Sequence, residues 1–375
     1  MEMSGRRIVV KLGTKILTNG GPRLSVPVMT DLVRQVAALV GEGAEVAIVT
    51  SGAVAAGRAR IGTAASETDV TQRQVLAAIG QSHLVERYDS LFQEHGLVAA
   101  QALLTRADLA DRAGYLNARN TIAQLLTIPK VVPLINENDV VANEELRGGA
   151  FGENDGLSAL VANLIDADLL MLLSDVDGLY ETDPRTHPDA SPLTEISDID
   201  AALRFAGPAA ADTPQGGRGG MRAKVEAAGL ASSAGCRVVV AHGLAKDAVL
   251  RIARGEQLGT LFPARGSRPE SRKRWLLSGL AAAGAITVDT GAARALRQQG
   301  RSLLPAGITQ ASGDFQRGDI VEVRDSGGTR IAVGISAYGS SEIQRIQGQR
   351  SEEISSILGY ELGEEVIHRN NMAVL

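Results

Sequence analysis

A three-layer α/β sandwich on a mainly parallel sheet, followed by a small β-rich domain, is the fold class that this sequence predicts. Three observations lead there. Short runs of apolar residues recur through the first 260 or so positions and are continuous, not alternating. Segments with helical spacing of apolar residues lie between them. Near residue 263 the texture changes to a polar, proline-containing stretch, and short β-like runs follow.

The apolar runs are 7–12, 45–50, 130–135, 168–173 and 237–241. A strand that is apolar at every position is buried on both faces, as in a parallel sheet covered by helices. The intervening helices are read from spacing and start signals. Val28, Leu32, Val36, Leu39 and Val40 repeat at helical intervals after Ser25-Val26-Pro27, and Gly41 and Gly43 end the pattern. Residues 69–94 and 115–126 read the same way. Strand–helix alternation over this length implies helices on both faces of one sheet. The stretch 263–274 (PARGSRPESRKR) reads as a junction, which gives domains at 1–262 and 279–375 joined by a linker at 263–278. In the second domain, 285–288, 318–323 and 329–335 read as strands, with Asp325-Ser326-Gly327-Gly328 as the hairpin turn between the last two.

Composition narrows the function. Of 375 residues, 44% are hydrophobic and 22% charged, which suits a soluble globular protein. A formal net charge of -5 argues against nucleic acid as the main partner. Cys236 is the single cysteine, so no intrachain disulfide forms and a reducing cytoplasm is expected. The N-terminal apolar run is too short for a signal peptide, and no apolar run is long enough to span a bilayer. There is no Walker A loop and no His-Glu-x-x-His or paired Cys-x-x-Cys, so no metal site is expected in the protein itself.

In parallel α/β sheets, ligands bind beyond the carboxyl ends of the strands, so the residues that follow each apolar run matter most. The first run leads into Lys11-Leu12-Gly13-Thr14, which reads either as a surface lysine or as a charge and backbone amides set against an anion. The second leads into Thr50-Ser51-Gly52-Ala53, where glycine and small residues suit a helix start open to a carboxylate or phosphate. The third leads into Asn136-Glu137-Asn138-Asp139. A helix cap explains one of those four polar residues, and a substrate ammonium would use carboxylate and amide acceptors of this kind. Glu153-Asn154-Asp155 reads as a helix cap at Asp155 or as a polar ligand site. The fourth run leads into Ser174-Asp175-Val176-Asp177-Gly178. Later, Gly216-Gly217-Arg218-Gly219-Gly220-Met221-Arg222-Ala223-Lys224 is a glycine-rich loop whose amides suit phosphate.

In this order, these segments resemble the amino acid kinase family, and within it the enzymes that phosphorylate the side-chain carboxylate of glutamate. The loop Asp177-Gly178-Leu179-Tyr180…Asp183-Pro184-Arg185 is similar to one shared more widely in the family. The second domain resembles a PUA domain, through Arg272-Lys273-Arg274-Trp275, Ile286-Thr287-Val288-Asp289, Ser302-Leu303-Leu304-Pro305 and Ile357-Leu358-Gly359-Tyr360. The resemblance implies ATP as co-substrate with Mg²⁺, L-glutamate as acceptor, proline as a feedback inhibitor and a homo-oligomer. It implies Lys11 and Lys224 on the phosphates and Asp155 orienting both lysines. Ser51, Asp139 and Asn154 would bind glutamate. Ser174, Asp175, Arg218, Gly219, Gly220 and Met221 would lie at the nucleotide. The chain departs from the family's usual pattern at Arg218 and Ala223, where threonine is general, at Glu153, where aspartate is usual, and in a short insertion at 148–150.

A rival reading takes the PUA-like domain as the working part of an RNA-binding or RNA-modifying protein. From residue 263 onward there are 14 Lys+Arg against 12 Asp+Glu, a net of +2 that does not demand a polyanion. Arg272-Lys273-Arg274 is a local basic cluster there, and it reads as a solvated domain junction sooner than as a polyanion site.

Overall fold

The computed structural model describes residues 3–62, 70–142, 153–182, 186–187, 189–206, 220–266 and 282–375. The elements of the first part follow in chain order: β1 Arg7–Leu12, α1 Thr14–Leu17, α2 Val26–Gly41, β2 Glu45–Thr50, α3 Ala53–Ile61, α4 Val70–Gln93, β3 Val98–Leu104, α5 Arg106–Ala110, α6 Arg112–Thr127, β4 Val131–Glu137, α7 Glu153–Leu164, β5 Leu169–Ser174, α8 Ile199–Phe205, α9 Met221–Ser233, β6 Arg237–His242, α10 Ala248–Ala253 and β7 Thr260–Phe262. The strands form one seven-stranded sheet in the order β3-β4-β2-β1-β5-β6-β7. Every pairing is parallel except that of β7 with β6.

The five apolar runs are five of these strands. β5 is buried at all six positions, and β1 and β2 at five of six each. Helices therefore cover both faces, as the unbroken hydrophobicity requires. α2 shows how one layer is built. Pro27 sits in its first turn, where a missing N–H costs nothing. Met29, Leu32, Val33, Val36 and Leu39 form its buried face and join Ile8, Val10, Leu12, Val46 and Ile48 in the core.

Two strands escape sequence reading. β3 is an edge strand whose Val98 and Leu103 are exposed, so it lacks the apolar continuity of the interior strands. β7 has only three residues.

Successive connections place β2 on one side of β1 and β5 on the other. That reversal opens a crevice at the carboxyl ends of β1 and β5, where Leu12 pairs with Leu173. α7 packs on β1 and on α9, and α3 packs on α4. The α3–α4 contact is backbone against backbone. A Cβ on Gly57 would lie 2.0 Å from the Leu76 carbonyl oxygen, and one on Gly80 would lie 1.9 Å from that of Ala53.

The chain divides into two compact units, residues 1–109 with 118–266, and residues 110–117 with 267–375. The second carries a five-stranded sheet built from Gly284–Val288, Ile308–Gly313, Ile320–Arg324, Arg330–Ile335 and Met372–Val374. The hairpin turn forms as the sequence predicts. Asp325 Oδ1 accepts from the N–H groups of Gly327 and Thr329 at 3.1 and 3.0 Å, and Gly328 takes the left-handed conformation at φ +81°. The core of this unit is separate, and includes Ile286, Val321, Val323, Phe315 and Ile343. The basic cluster Arg272-Lys273-Arg274 lies outside the described residues.

Candidate active site

At the carboxyl end of β1, Lys11 is not a surface lysine. Its Nζ lies 2.5 Å from Asp155 Oδ1, and Lys224 Nζ lies 3.0 Å from Asp155 Oδ2. The three side chains are 7%, 1% and 7% exposed in the order Lys11, Asp155, Lys224. Asp155 is the third residue of α7 and does not serve as a helix cap, because its two oxygens are taken by the two lysines. The first turn of a helix is a favourable place for a carboxylate. Lys224 stands in the first turn of α9, just after Gly220 at its N-cap.

Two ammonium groups and one carboxylate leave a formal charge of +1 in a buried place. Burial of charge is costly unless it is paired, and here the carboxylate of Asp155 is shared between the two lysines, with a further attraction on Lys11 from Asp175. Burial pushes the pKa of Lys11 down. Asp155 pushes it up, Lys224 pulls it down again, and the result lies below the ordinary lysine value. For Asp155, burial alone would raise the pKa, but the two lysines outweigh it and hold the carboxyl below the usual carboxylate range. Gly13 lies close by: a Cβ there would sit 3.5 Å from Lys11 Nζ, an ordinary van der Waals contact.

Ser174 ends β5, next to β1. Its hydroxyl donates to Asp175 Oδ1 at 3.2 Å, and the other carboxylate oxygen of Asp175 pairs with Lys15 Nζ at 2.9 Å. Burial acts to raise the Asp175 pKa, and the Lys15 contact more than reverses it. The following loop is pinned at Gly178, where a Cβ would fall 2.5 Å from Thr260 Oγ1. That hydroxyl accepts from Leu179 N–H at 2.8 Å and donates to the Leu193 carbonyl at 2.6 Å.

A second, uncharged cluster adjoins the ends of β2 and β4. Ser51 is followed by Gly52 at φ +106°, a conformation that calls for glycine, and α3 starts at once. Beneath the turn, the fully buried Tyr88 hydroxyl lies 3.0 Å from Thr50 Oγ1. Asn154 Nδ2 donates to Ser51 Oγ at 2.8 Å and to Asn136 Oδ1 at 3.2 Å. Asn136 Nδ2 donates to Gln81 Oε1 at 2.8 Å, so α4 joins the cluster. Asp139 lies half-buried in the turn after β4, which Asn138 closes by accepting from Val141 and Ala142 N–H at 3.1 and 3.0 Å.

The structure thus brings Lys11, Asp155 and Lys224 together, Ser51 and Asn154 together, and Ser174 with Asp175. Gly220 and Met221 open α9 beside Lys224. Arg218, Gly219, the Asp183-Pro184-Arg185 segment and the insertion at 148–150 lie outside the described residues, as does the side chain of Glu153. Ala223 is buried. Sequence reasoning missed Gln81 and Lys15 as neighbours of the site. It noted Asn136 only as part of a polar run, and that run was the one signal available.

The class that fold and site define is an α/β protein with two buried lysines sharing one carboxylate at the carboxyl ends of a parallel sheet. Residues 6–242 match the amino acid kinase family, and residues 284–358 match the PUA domain. Glutamate 5-kinase of Dehalococcoides mccartyi strain CBDB1 is 50% identical over 370 residues, covering 99% of this chain and 98% of that one. Glutamate 5-kinase of Shewanella halifaxensis is 47% identical over 375 residues, covering 100% and 99%. Glutamate 5-kinase of Herpetosiphon aurantiacus is 48% identical over 366 residues, covering 98% and 97%. UMP kinase from Bacillus anthracis aligns with a TM-score of 0.48 at 16% identity, covering 70% of this chain and 97% of that one, too distant to carry an argument. The chain belongs to the amino acid kinase family, and within it to the glutamate 5-kinases.

Proposed function

We propose that this protein transfers the γ-phosphoryl group of ATP to the side-chain carboxylate of L-glutamate, giving L-glutamyl 5-phosphate and ADP, the first step of proline synthesis. The observation that carries the reading is the buried Lys11–Asp155–Lys224 cluster, two ammonium groups held on one carboxylate. The nucleophile has an ordinary pKa of about 4.3 and is ionised at neutral pH, so the reaction needs no general base. What it needs is an anion brought to a polyanion, and charge stabilised as the phosphoryl group moves. Lys11 and Lys224 supply that charge from opposite ends of the catalytic sequence, and Asp155 holds their ammonium groups at a fixed separation. Ser174 and Asp175 border the nucleotide. Ser51, Asn154 and Asp139 hold glutamate.

Magnesium enters on the nucleotide. Among the described residues no three His, Cys, Asp or Glu side chains gather to hold a metal ion. Mg²⁺ commonly binds through substrate phosphates with one or two carboxylates at most, which this donor set fits. The reading includes proline as a feedback inhibitor and a homo-oligomeric state. No helix among the described residues is long and apolar enough to cross a membrane.

The test is incubation with Mg-ATP and L-glutamate, with hydroxylamine to trap the acyl phosphate, beside parallel reactions with aspartate and N-acetylglutamate and with added proline. Glutamate-dependent hydroxamate and ADP are expected. Turnover with another acceptor and none with glutamate would overturn the substrate and leave the family intact.

A further inference from the structure

The uncharged cluster contains an orientation puzzle with a single solution. An amide side chain has a donor end and an acceptor end, and which is which follows from its neighbours. Glu137 N–H, a backbone donor that cannot change role, points at Asn136 Oδ1 at 2.9 Å. That fixes the Asn136 oxygen, so its Nδ2 must face Gln81, and Gln81 must answer with Oε1 at 2.8 Å. The same oxygen of Asn136 accepts from Asn154, so Asn154 must present Nδ2. One backbone N–H therefore sets three side-chain amides in series.

Two groups are left over. Gln81 Nε2 and Asn154 Oδ1 are both buried, and neither has a hydrogen-bond partner among the described residues. Leaving a buried polar group unpaired is costly, and a native structure rarely does so without reason. The two leftovers are complementary: one is a double donor and the other an acceptor.

We infer that Gln81 is a specificity-determining residue whose amide N–H₂ binds the α-carboxylate of the amino acid substrate, with Asn154 Oδ1 accepting from the α-ammonium. This rests on the reading under Proposed function. Glutamate has three charged groups to place. Its side-chain carboxylate must face Lys11 and Lys224 to react. Its ammonium needs an acceptor, which Asn154 Oδ1 supplies. Its α-carboxylate needs a donor, and Gln81 Nε2 is a buried donor with no hydrogen-bond partner among the described residues. Gln81 and Asn154 are both uncharged, so each would meet its end of the zwitterionic head with a dipole. The backbone at Glu137 keeps those dipoles from reversing.

The test uses the full chain and two variants, and reads glutamate KM, ATP KM and kcat. Gln81→Glu keeps an oxygen that accepts from Asn136, so the amide series survives, but it replaces the donor with an anion. Glutamate KM is expected to rise about 10- to 100-fold, the range for losing a hydrogen bond to a charged group, with ATP KM within about twofold. The penalty relative to wild type should shrink as pH falls toward 5, because protonation of the new carboxyl restores a donor. Gln81→Met, which removes both ends, should raise glutamate KM at every pH and show no such recovery. Wild-type KM in Gln81→Glu would overturn the inference, because it is the result that a purely structural role predicts. Equal loss in glutamate and ATP KM would overturn it too. Absence of glutamate-dependent hydroxamate from the wild-type protein would instead strike the underlying reading, which keeps the two failures distinct.

Discussion

At the centre of the sheet, Lys11, Asp155 and Lys224 form a buried cluster with a formal charge of +1; toward β4, Ser51, Asn154, Asn136 and Gln81 form one with none. They are built in different ways. The first gathers two like charges about one carboxylate, and the second leaves one amide donor and one amide acceptor unpaired among the described residues. A phosphate can be held by net charge, because its own charge is large and little depends on its orientation. An amino acid head group carries both signs, so net charge of either sign would favour one end and repel the other. Oriented neutral dipoles avoid that conflict. Asn154 and Asp155 are adjacent on α7, so one helix turn joins the two halves.

The largest effects should come from the charged half. Lys11→Ala or Lys224→Ala is expected to lower kcat by about 100- to 1000-fold, with a much smaller change in glutamate KM. Steady-state kinetics decide, and wild-type turnover in either variant would remove the charged cluster from the chemistry. At Asp139, proposed to hold glutamate from the turn after β4, the effect should move to binding. Asp139→Ala should raise glutamate KM about tenfold, as expected for a charge-assisted contact, with kcat nearly kept. If kcat falls instead, the division between the halves fails at that residue.

Smaller still is the effect of crowding the helices that carry the uncharged half. In Gly57→Ala the new methyl would meet backbone at 2.0 Å, so one of the two helices must shift. Overpacking of this kind costs about 1–3 kcal/mol, which exceeds the gain of up to about 1 kcal/mol from replacing glycine by alanine in a helix. Denaturant unfolding should show a net loss of stability, and a gain would mean that the contact is looser than it is drawn.

The finest distinction is in pH dependence. Lys11 has its pKa lowered chiefly by burial, against the opposing pull of Asp155. The alkaline limb of kcat/KM for ATP, which reports the free enzyme, should therefore fall below the ordinary lysine value of about 10.4. In Asp155→Asn it should move further toward neutral, since an attraction that sustains the ammonium is gone. Stability follows with its own signs. Asp155, with its depressed pKa, contributes stability that is present above the unfolded value of about 3.9 and lost as pH falls through the lower folded value. Lys11, charged at neutral pH against the cost of burial, works against folding there, and that cost fades as pH rises toward the unfolded lysine value.

How much of this was legible in the sequence depended on what each residue answers to. Strands β1, β2, β4, β5 and β6 were readable because burial on both faces writes itself as unbroken hydrophobicity. β3 answers to one neighbour and to solvent, and its alanines and glutamine carry no such mark. Lys11, Asp155 and Lys224 were named through family resemblance, since spacing alone could not decide whether Lys11 was solvated or Asp155 a cap. Gln81 left no trace at all. Its role depends on which side of a long helix it occupies and on a backbone N–H in another strand, and neither is a property of the residues around it in the chain.

The contact of Gly57 with α4, and of Gly80 with Ala53, has a consequence for how this protein can change. Gly80 immediately precedes Gln81, and Ala53 follows Ser51 by two positions, so the gap across the amino acid pocket is gauged by main chain resting on main chain. Side-chain packing can be re-cut by mutation, but a main-chain stop has no dimension to trim. New acceptor preferences would therefore have to arise from what the walls present, because the distance between the walls is not available for adjustment.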